Sequence, residues 1–319
     1  MTSQPTATDA DIDAAVATLR AGGLIGLPTE TVYGLGADAT NEAAVQRIFA
    51  TKGRPAGHPL IVHVASAQQV DEWSTGSDAR AAALAEAFWP GPLTIIVESS
   101  GLAAPSVTGG RTTVGLRVPD HPVALEVLRR FGGGVAAPSA NRFGHVSPTT
   151  ADHVRADLGD AVDVILDGGP SKVGVESTII ELVGGAPVLL RPGGVSVEAI
   201  EAVLGESVVD GRTGESRAAG MMASHYAPDA PVVVVESIDG PLDDRVAVIA
   251  PLGEPVLDPE RSKVQWLPAD AAGFAEGLYA ALRRADSADT TQIMVVAPHE
   301  AGDLLPAVMD RLAKASAPR

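Results

Sequence analysis

The chain has no cysteine among its 319 residues. Disulfides, thiolate zinc sites and a cysteine nucleophile are excluded, and the composition fits a reducing cytoplasm. Lysine occurs only at Lys52, Lys172, Lys263 and Lys314, so a lysine in a loop stands out. The formal net charge is -17, which argues against a broad nucleic-acid surface, because each neutralised phosphate needs a cation. No apolar run approaches the roughly 20 residues that span a bilayer, and the polar, acidic residues 1–15 do not read as a secretion signal. No internal repeat, no GxxxxGK[ST] phosphate loop and no GxGxxG opening a helix after a strand are present.

What is present is a hydrophobic content of 45%, enough for sizeable cores, in a length that suggests about two domains. Residues 28–64 organise the first. They run from the apolar Leu24-Ile25-Gly26-Leu27 through a Thr- and Gly-rich turn, a short amphipathic segment and a cationic turn to Leu60-Ile61-Val62. The order is strand–loop–helix–loop–strand, with its polar residues in the loops, where α/β proteins bind ligands. Thr29, Glu30, Thr31 and Tyr33 crowd one turn before Gly34 and Gly36; an ordinary polar turn has the same composition. In Lys52-Gly53-Arg54-Pro55 the proline biases Arg54 toward extended backbone, so both cationic heads are expected in one cleft rather than in solvent. His58 and His63 bracket the next strand, as ligand contacts or as structural histidines.

Further along, Arg117 closes an apolar strand, where its planar fork suits a carboxylate or phosphate clamp or a structural ion pair. Residues 132–141 run from a strand into a turn of small residues in which Ser139 and Asn141 offer hydrogen bonds to phosphoryl oxygens. Arg191 ends another strand. About seven strands and several helices place the first domain at residues 1–204. Residues 205–228 read as a linker that carries Arg212, Arg217, His225 and Tyr226, either as a lid or as a tether. Strand and helix then alternate through residues 229–319, which marks a small α/β domain without a catalytic constellation.

Taken together, PTETVYGLGADA, KGRP, HPLIVH, VGLRVP, APSAN, GVESTII and LRPGG resemble the threonylcarbamoyl-AMP synthase family, the YrdC-type fold. SHYAPDAPV and the C-terminal unit resemble its long two-domain form, and the likeness spans residues 12–315. It implies an α/β architecture: an N-terminal YrdC-type twisted open sheet with helices and a central cleft, a linker, and a smaller Rossmann-like C-terminal domain. The implied reaction takes L-threonine, bicarbonate or carbon dioxide, and ATP with magnesium, and yields threonylcarbamoyl-AMP and pyrophosphate. Downstream tRNA threonylcarbamoyl-transfer proteins would consume the product. By the same resemblance Thr31, His63, Arg117, Ala137 and Ser177 bind threonine, and Arg54, His58, Thr113, Ser139, Ser147, Arg191 and Tyr226 bind ATP. Lys52, Arg54, Ser139 and Asn141 form the catalytic signature. Two departures from the family pattern are His58, where asparagine is common, and Met222 and Ser224, where the linker often carries a cation. The rival expectations are an RNA-binding module with a basic cleft, and a carbamoyl-phosphate-dependent transferase, whose zinc fingers the cysteine-free chain lacks.

Overall fold

The structure, a computed structural model, describes residues 7–55, 57–76, 78–212, 218, 225–238, 242–255 and 263–318. Helix α1 (Asp9–Arg20) opens on a capping box in which Thr8 and Asp11 bond each other's backbone, and it buries Ile12, Ala15, Val16 and Leu19. Strands β1 (Ile25–Leu27) and β2 (Gly34–Asp38) pair antiparallel around the Thr29–Tyr33 turn. Helix α2 (Glu42–Lys52) is capped by Asn41 and ended by Gly53 in the left-handed region. The N-terminal unit continues through β3 (Ile61–His63), α3 (Val70–Trp73), α4 (Ala79–Phe88), β4 (Leu93–Glu98), α5 (Pro105–Thr108), β5 (Thr113–Arg117) and α6 (Pro122–Phe131). It closes with β6 (Val135–Ala136), α7 (Ala151–Leu158), β7 (Val164–Ile165), β8 (Thr178–Glu181), β9 (Val188–Arg191), α8 (Val197–Leu204) and β10 (Val209–Asp210). The second unit holds β11 (Val232–Val235), β12 (Val246–Pro251), β13 (Val264–Leu267), α9 (Ala271–Ala285), β14 (Gln292–Val296) and α10 (Leu305–Ala315).

The first ten strands form one mixed sheet in the order β10-β9-β8-β4-β5-β3-β6-β2-β1-β7. The last four form a parallel sheet in the order β11-β14-β12-β13. In the N-terminal unit, one apolar cluster joins α2 and α4 to the sheet and another lies between α1 and α6. A third is centred on α9 and α10 and takes in Val32, Val146 and Val175 of the N-terminal unit. The two units therefore share buried apolar surface, which loop-tethered domains would not.

Two strands depart from the sequence reading. Gly34 and Gly36, read there as part of a turn, lie within β2. A Cβ at Gly34 would come within 3.1 Å of the Ala137 Cβ, and one at Gly36 within 3.0 Å of Ile25 and Val135 side chains, so these glycines serve sheet packing. Val209–Asp210, inside the expected linker, pairs parallel with β9 and extends the N-terminal sheet past residue 204. Its two exposed residues carry no core-facing signal. Among the described residues no helix is long and apolar enough to cross a membrane.

Gly174 marks the junction of the two units. Its φ is +75°, and a Cβ there would stand 2.3 Å from the Ala275 carbonyl oxygen of α9. Gly184 has a similar φ of +86° with open space around it. Thermal unfolding should show Gly174→Ala losing about 1–3 kcal/mol more than Gly184→Ala, because only the former forces the units apart. Equal losses would mean that backbone conformation alone sets the requirement for glycine at Gly174.

Candidate functional site

The ends of β3, β5, β6 and β9 and the start of β8 converge on one cleft. Parallel pairing of β3 with β5 sets His63 beside Arg117. Ala137, Pro138 and Ser139 follow β6, Ser177 precedes β8, Arg191 closes β9, and Thr29 and Thr31 arrive from the β1–β2 turn. Nine of the residues expected at the site line this hollow: Thr31, Arg54, His63, Arg117, Ala137, Ser139, Ser177, Arg191 and Tyr226.

Arg117 is 4% exposed, and its guanidinium is held on three sides. Nε donates to the Gly91 carbonyl at 3.2 Å, Nη1 donates to Thr31 Oγ1 at 2.9 Å, and Nη2 lies 2.6 Å from Glu30 Oε1. Glu30, whose role the sequence did not reveal, is thus the counter-charge behind the clamp. The adjacent His63 imidazole is pushed down to about 3, first by burial and then by Arg117, and is neutral at physiological pH. Its Nδ1 has no hydrogen-bond partner among the described residues. Arg191 donates from Nε to the Ser177 carbonyl and from Nη2 to Ser177 Oγ, at 3.0 and 3.1 Å. Arg54 reaches the Pro59 carbonyl at 3.2 Å and lies over the Phe143 ring at 5.7 Å. Burial lowers its guanidinium to about 10, against the pull of the Tyr226 phenol, and it stays cationic at neutral pH.

Lys52 does not share the hollow with Arg54. It follows Val45, Ile48 and Phe49 on the buried face of α2, and Gly53 turns the chain before Arg54. Its ammonium donates to the Ser139 and Asn141 carbonyls at 2.5 and 2.6 Å. Asn141 in turn donates to the Arg142 and His145 carbonyls at 2.7 and 2.8 Å. These two residues therefore shape, from behind, the loop that presents Ser139. Burial, helped by Arg54, lowers the Lys52 ammonium well below its ordinary value.

Three other expected residues stand outside the lining. Thr113 belongs to a smaller hollow that shares Leu60 and Ile61 with the cleft. His58 is half-buried, its ring 5.9 Å from that of Phe143. Ser147 is fully buried and donates to Glu176 Oε1 at 2.6 Å. In the expected linker, Arg212 pairs with Asp210 at the surface, whereas Arg217, Met222 and Ser224 lie outside the described residues.

Glu176 lies within GVESTII, where its sequence context reveals no role for it. Its second oxygen accepts from Tyr279 Oη at 2.9 Å and from Arg311 Nε at 2.7 Å, both in the second unit. Burial alone would raise this carboxyl, but Arg311, Arg191 and the Ser147 hydroxyl outweigh it and hold the group at about 2. Glu176 and Arg311 are 135 positions apart, and no spacing pattern links them.

Chemically, the cleft offers three inward-facing guanidiniums, several hydroxyls, a neutral imidazole and the backbone of a small-residue loop. Such a set holds two anionic groups side by side. A larger hollow of about 830 Å³ between α3, α4 and the β4 and β8 ends is lined by Asp71, Asp78, Arg80, Glu86 and Glu98 and contains none of the residues expected at the site.

Residues 17–193 match the family model described as telomere recombination, and residues 195–317 match that described as the threonylcarbamoyl-AMP synthase C-terminal domain. The chain is 41% identical over 312 residues to the threonylcarbamoyl-AMP synthase of Pyrococcus abyssi, covering 93% of this chain and 92% of that one. It is 39% identical over 335 residues to that of Bacillus subtilis, covering 100% and 96%. The crystal structure of P. abyssi Sua5 complexed with L-threonine superposes with a TM-score of 0.87 at 40% identity, covering 96% of this chain and 94% of that one. E. coli YciO shares the fold at a TM-score of 0.54 and 23% identity, covering 63% and 100%.

The buried imidazoles give stability a pH dependence. His63 and His225 titrate at about 3 in the fold, both chiefly through burial, against about 6.5 when unfolded. Between those values the unfolded chain binds more protons. Stability present above pH 6.5 should fall as pH drops toward 3, by about 1.4 kcal/mol per pH unit for each imidazole. Denaturant unfolding from pH 7 to pH 5 should show this slope, reduced by one imidazole's share in His63→Asn. An unchanged slope in that variant would show that His63 takes up its proton as readily in the folded protein as in the unfolded chain.

Proposed function

The chain belongs to the threonylcarbamoyl-AMP synthase family, and we propose that its cleft converts L-threonine, bicarbonate or carbon dioxide, and ATP into threonylcarbamoyl-AMP and pyrophosphate by nucleotidyl transfer. The observation that carries this reading is the convergence of Arg54, Arg117 and Arg191 on one hollow, beside the Ser139 loop. Arg117, steadied by Glu30 and Thr31, takes the threonine carboxylate as a fork. Thr31, Ser177, the Ala137 backbone and the His63 imidazole meet the amine and hydroxyl. A neutral His63 adds no cation next to an amine that must react as its free base.

The amine lone pair attacks the carbon of carbon dioxide and a proton leaves the nitrogen, giving a carbamate. A carbamate oxygen then attacks the α-phosphorus of ATP, and the bond to the bridging oxygen of pyrophosphate breaks. Negative charge spreads over the phosphoryl oxygens, where Arg54, Arg191 and the Ser139 hydroxyl supply fixed positive potential. Lys52 and Asn141 contribute by holding the Ser139 loop. Glu176 is engaged by three donors and is not free to take a proton. Positioning and electrostatics carry the step.

Tyr226, which lines the cleft, and Thr113, in the adjoining hollow, would meet the nucleotide. Ser147 serves the site through Glu176, and His58 through its packing near Phe143. Among the described residues no three His, Asp or Glu side chains converge as metal ligands, and the lining is cationic, which suits a nucleotide that brings magnesium on its own phosphates. Such an ion would neutralise charge on the triphosphate. The product then passes to tRNA threonylcarbamoyl-transfer proteins, in a cytoplasm whose reducing character the cysteine-free composition suits. An RNA-binding reading is disfavoured by burial, since Arg54, Arg117 and Arg191 are 8%, 4% and 4% exposed and face inward rather than toward a polymer.

Pyrophosphate release should require threonine, bicarbonate and ATP together, and omission of any one should abolish it. Arg117→Ala and Lys52→Ala should each lower release about a hundredfold or more, with near-UV circular dichroism retained. Full activity in both variants would refute this assignment of the site.

A further inference from the structure

Four hydroxyls at the cleft occur as two pairs. Thr29 Oγ1 lies 2.9 Å from Thr31 Oγ1, and Thr94 Oγ1 lies 2.8 Å from Ser177 Oγ. All four residues are 3% exposed or less. Thr31 and Ser177 line the cleft, whereas Thr94, on β4, lines only the adjoining hollow. A hydroxyl has one proton to donate and two lone pairs that accept, and a buried proton left without an acceptor destabilises the fold. The fixed partners of each group therefore decide which way its proton points.

In the first pair, Thr29 Oγ1 donates to the Val32 carbonyl at 2.6 Å, and a carbonyl only accepts. The Thr29 proton is thus committed, and the short contact with Thr31 needs Thr31 as its donor. Thr31 Oγ1 also accepts from Arg117 Nη1 at 2.9 Å. One lone pair is what Thr31 has left. In the second pair, Ser177 Oγ accepts from Arg191 Nη2 at 3.1 Å, and a guanidinium only donates. Among the described residues the hydrogen bond to Ser177 is the only one that Thr94 Oγ1 makes. Were Ser177 the donor, the buried Thr94 proton would find no acceptor. With Thr94 as donor, both lone pairs of Ser177 are engaged, and its proton is what remains.

We infer that Thr29 and Thr94 are positioning residues that fix the polarity of the two substrate-facing hydroxyls, so that Thr31 accepts from the amine of the amino acid and Ser177 donates to its side-chain hydroxyl oxygen. The inference rests on the proposed use of L-threonine. An acceptor-only Thr31 suits a group that brings N–H, and an amine held through one N–H keeps its lone pair for carbon dioxide. A donor-only Ser177 cannot take an N–H. With Arg117 on the carboxylate, the oxygen left on the amino acid for Ser177 is the hydroxyl. A site built to bond a hydroxyl rejects the analogue that lacks it far more strongly than an apolar pocket does. Thr94 acts through Ser177 and so sets specificity from outside the cleft.

The test is calorimetric titration of the full chain, without ATP, with three ligands. These are L-threonine, L-α-aminobutyrate, which is threonine without its hydroxyl, and (R)-β-hydroxybutyrate, which is threonine without its amine. In the unmodified protein each analogue should bind about tenfold or more weaker than L-threonine. Thr94→Val keeps the shape and removes the hydroxyl. It should cut the factor for the missing hydroxyl about threefold or more and leave the factor for the missing amine as it was. Thr29→Val should do the reverse. Thr29→Ser and Thr94→Ser keep a hydroxyl at each position and should retain both factors. Thr29→Ala and Thr94→Ala should repeat the valine pattern, which guards against a valine that packs badly. Weaker threonine binding with both factors unchanged, or both factors falling together in each variant, would make the two threonines structural and overturn the inference while the functional reading stands. Absence of L-threonine binding by the unmodified protein would overturn the functional reading and the inference with it.

Discussion

A carboxylate with almost no access to water stays ionised only if cations and donors surround it, and Glu176 meets that condition through residues from both halves of the chain. Ser147 and Arg191 come from the N-terminal unit, and Arg311 and Tyr279 from the second. Breaking such a pair by removing one partner is strongly destabilising, since the other charge is left buried and uncompensated. The two units are thus committed to one arrangement by a charge that neither could bury alone. Apolar packing of Val32, Val146 and Val175 against the second unit's core acts in the same direction.

The same logic governs the cleft. Its cations are not counter-ions to a bulk field, since the chain is acidic as a whole. Each guanidinium is oriented by fixed acceptors, with Glu30, Thr31 and Gly91 around Arg117, Ser177 beside Arg191 and Pro59 beside Arg54. Donors fixed in advance pay little reorganisation when charge develops on a substrate, which is why such sites stabilise phosphoryl transfer well. Lys52 illustrates the indirect version, placing its charge under two carbonyls so that the Ser139 loop keeps its shape.

Much of this was legible in the amino-acid order. The placements of Thr31, Arg117, Ser139 and Arg191 at or just past strand ends follow from the apolar runs that precede them, because strand ends are where polar side chains escape a buried sheet, and Arg54 follows from the Gly53 turn that ends α2. The buried face of α2 was equally legible, and extending the spacing of Val45, Ile48 and Phe49 by one step would have put Lys52 on it. Strand β2 was obscured because its glycines look like a turn, while their function is close approach to Ile25, Val135 and Ala137.

The sequence by itself determined the two α/β units, the strand-end placement of the polar residues and the family likeness, because these depend on local periodicity and short contiguous motifs. Which cation faces the hollow, which one braces a loop from behind, and which carboxylate joins the halves were decided only by tertiary structure. Burial and charge pairing are properties of neighbours in space, and Arg311 and Glu176 become neighbours only after both sheets have formed and packed.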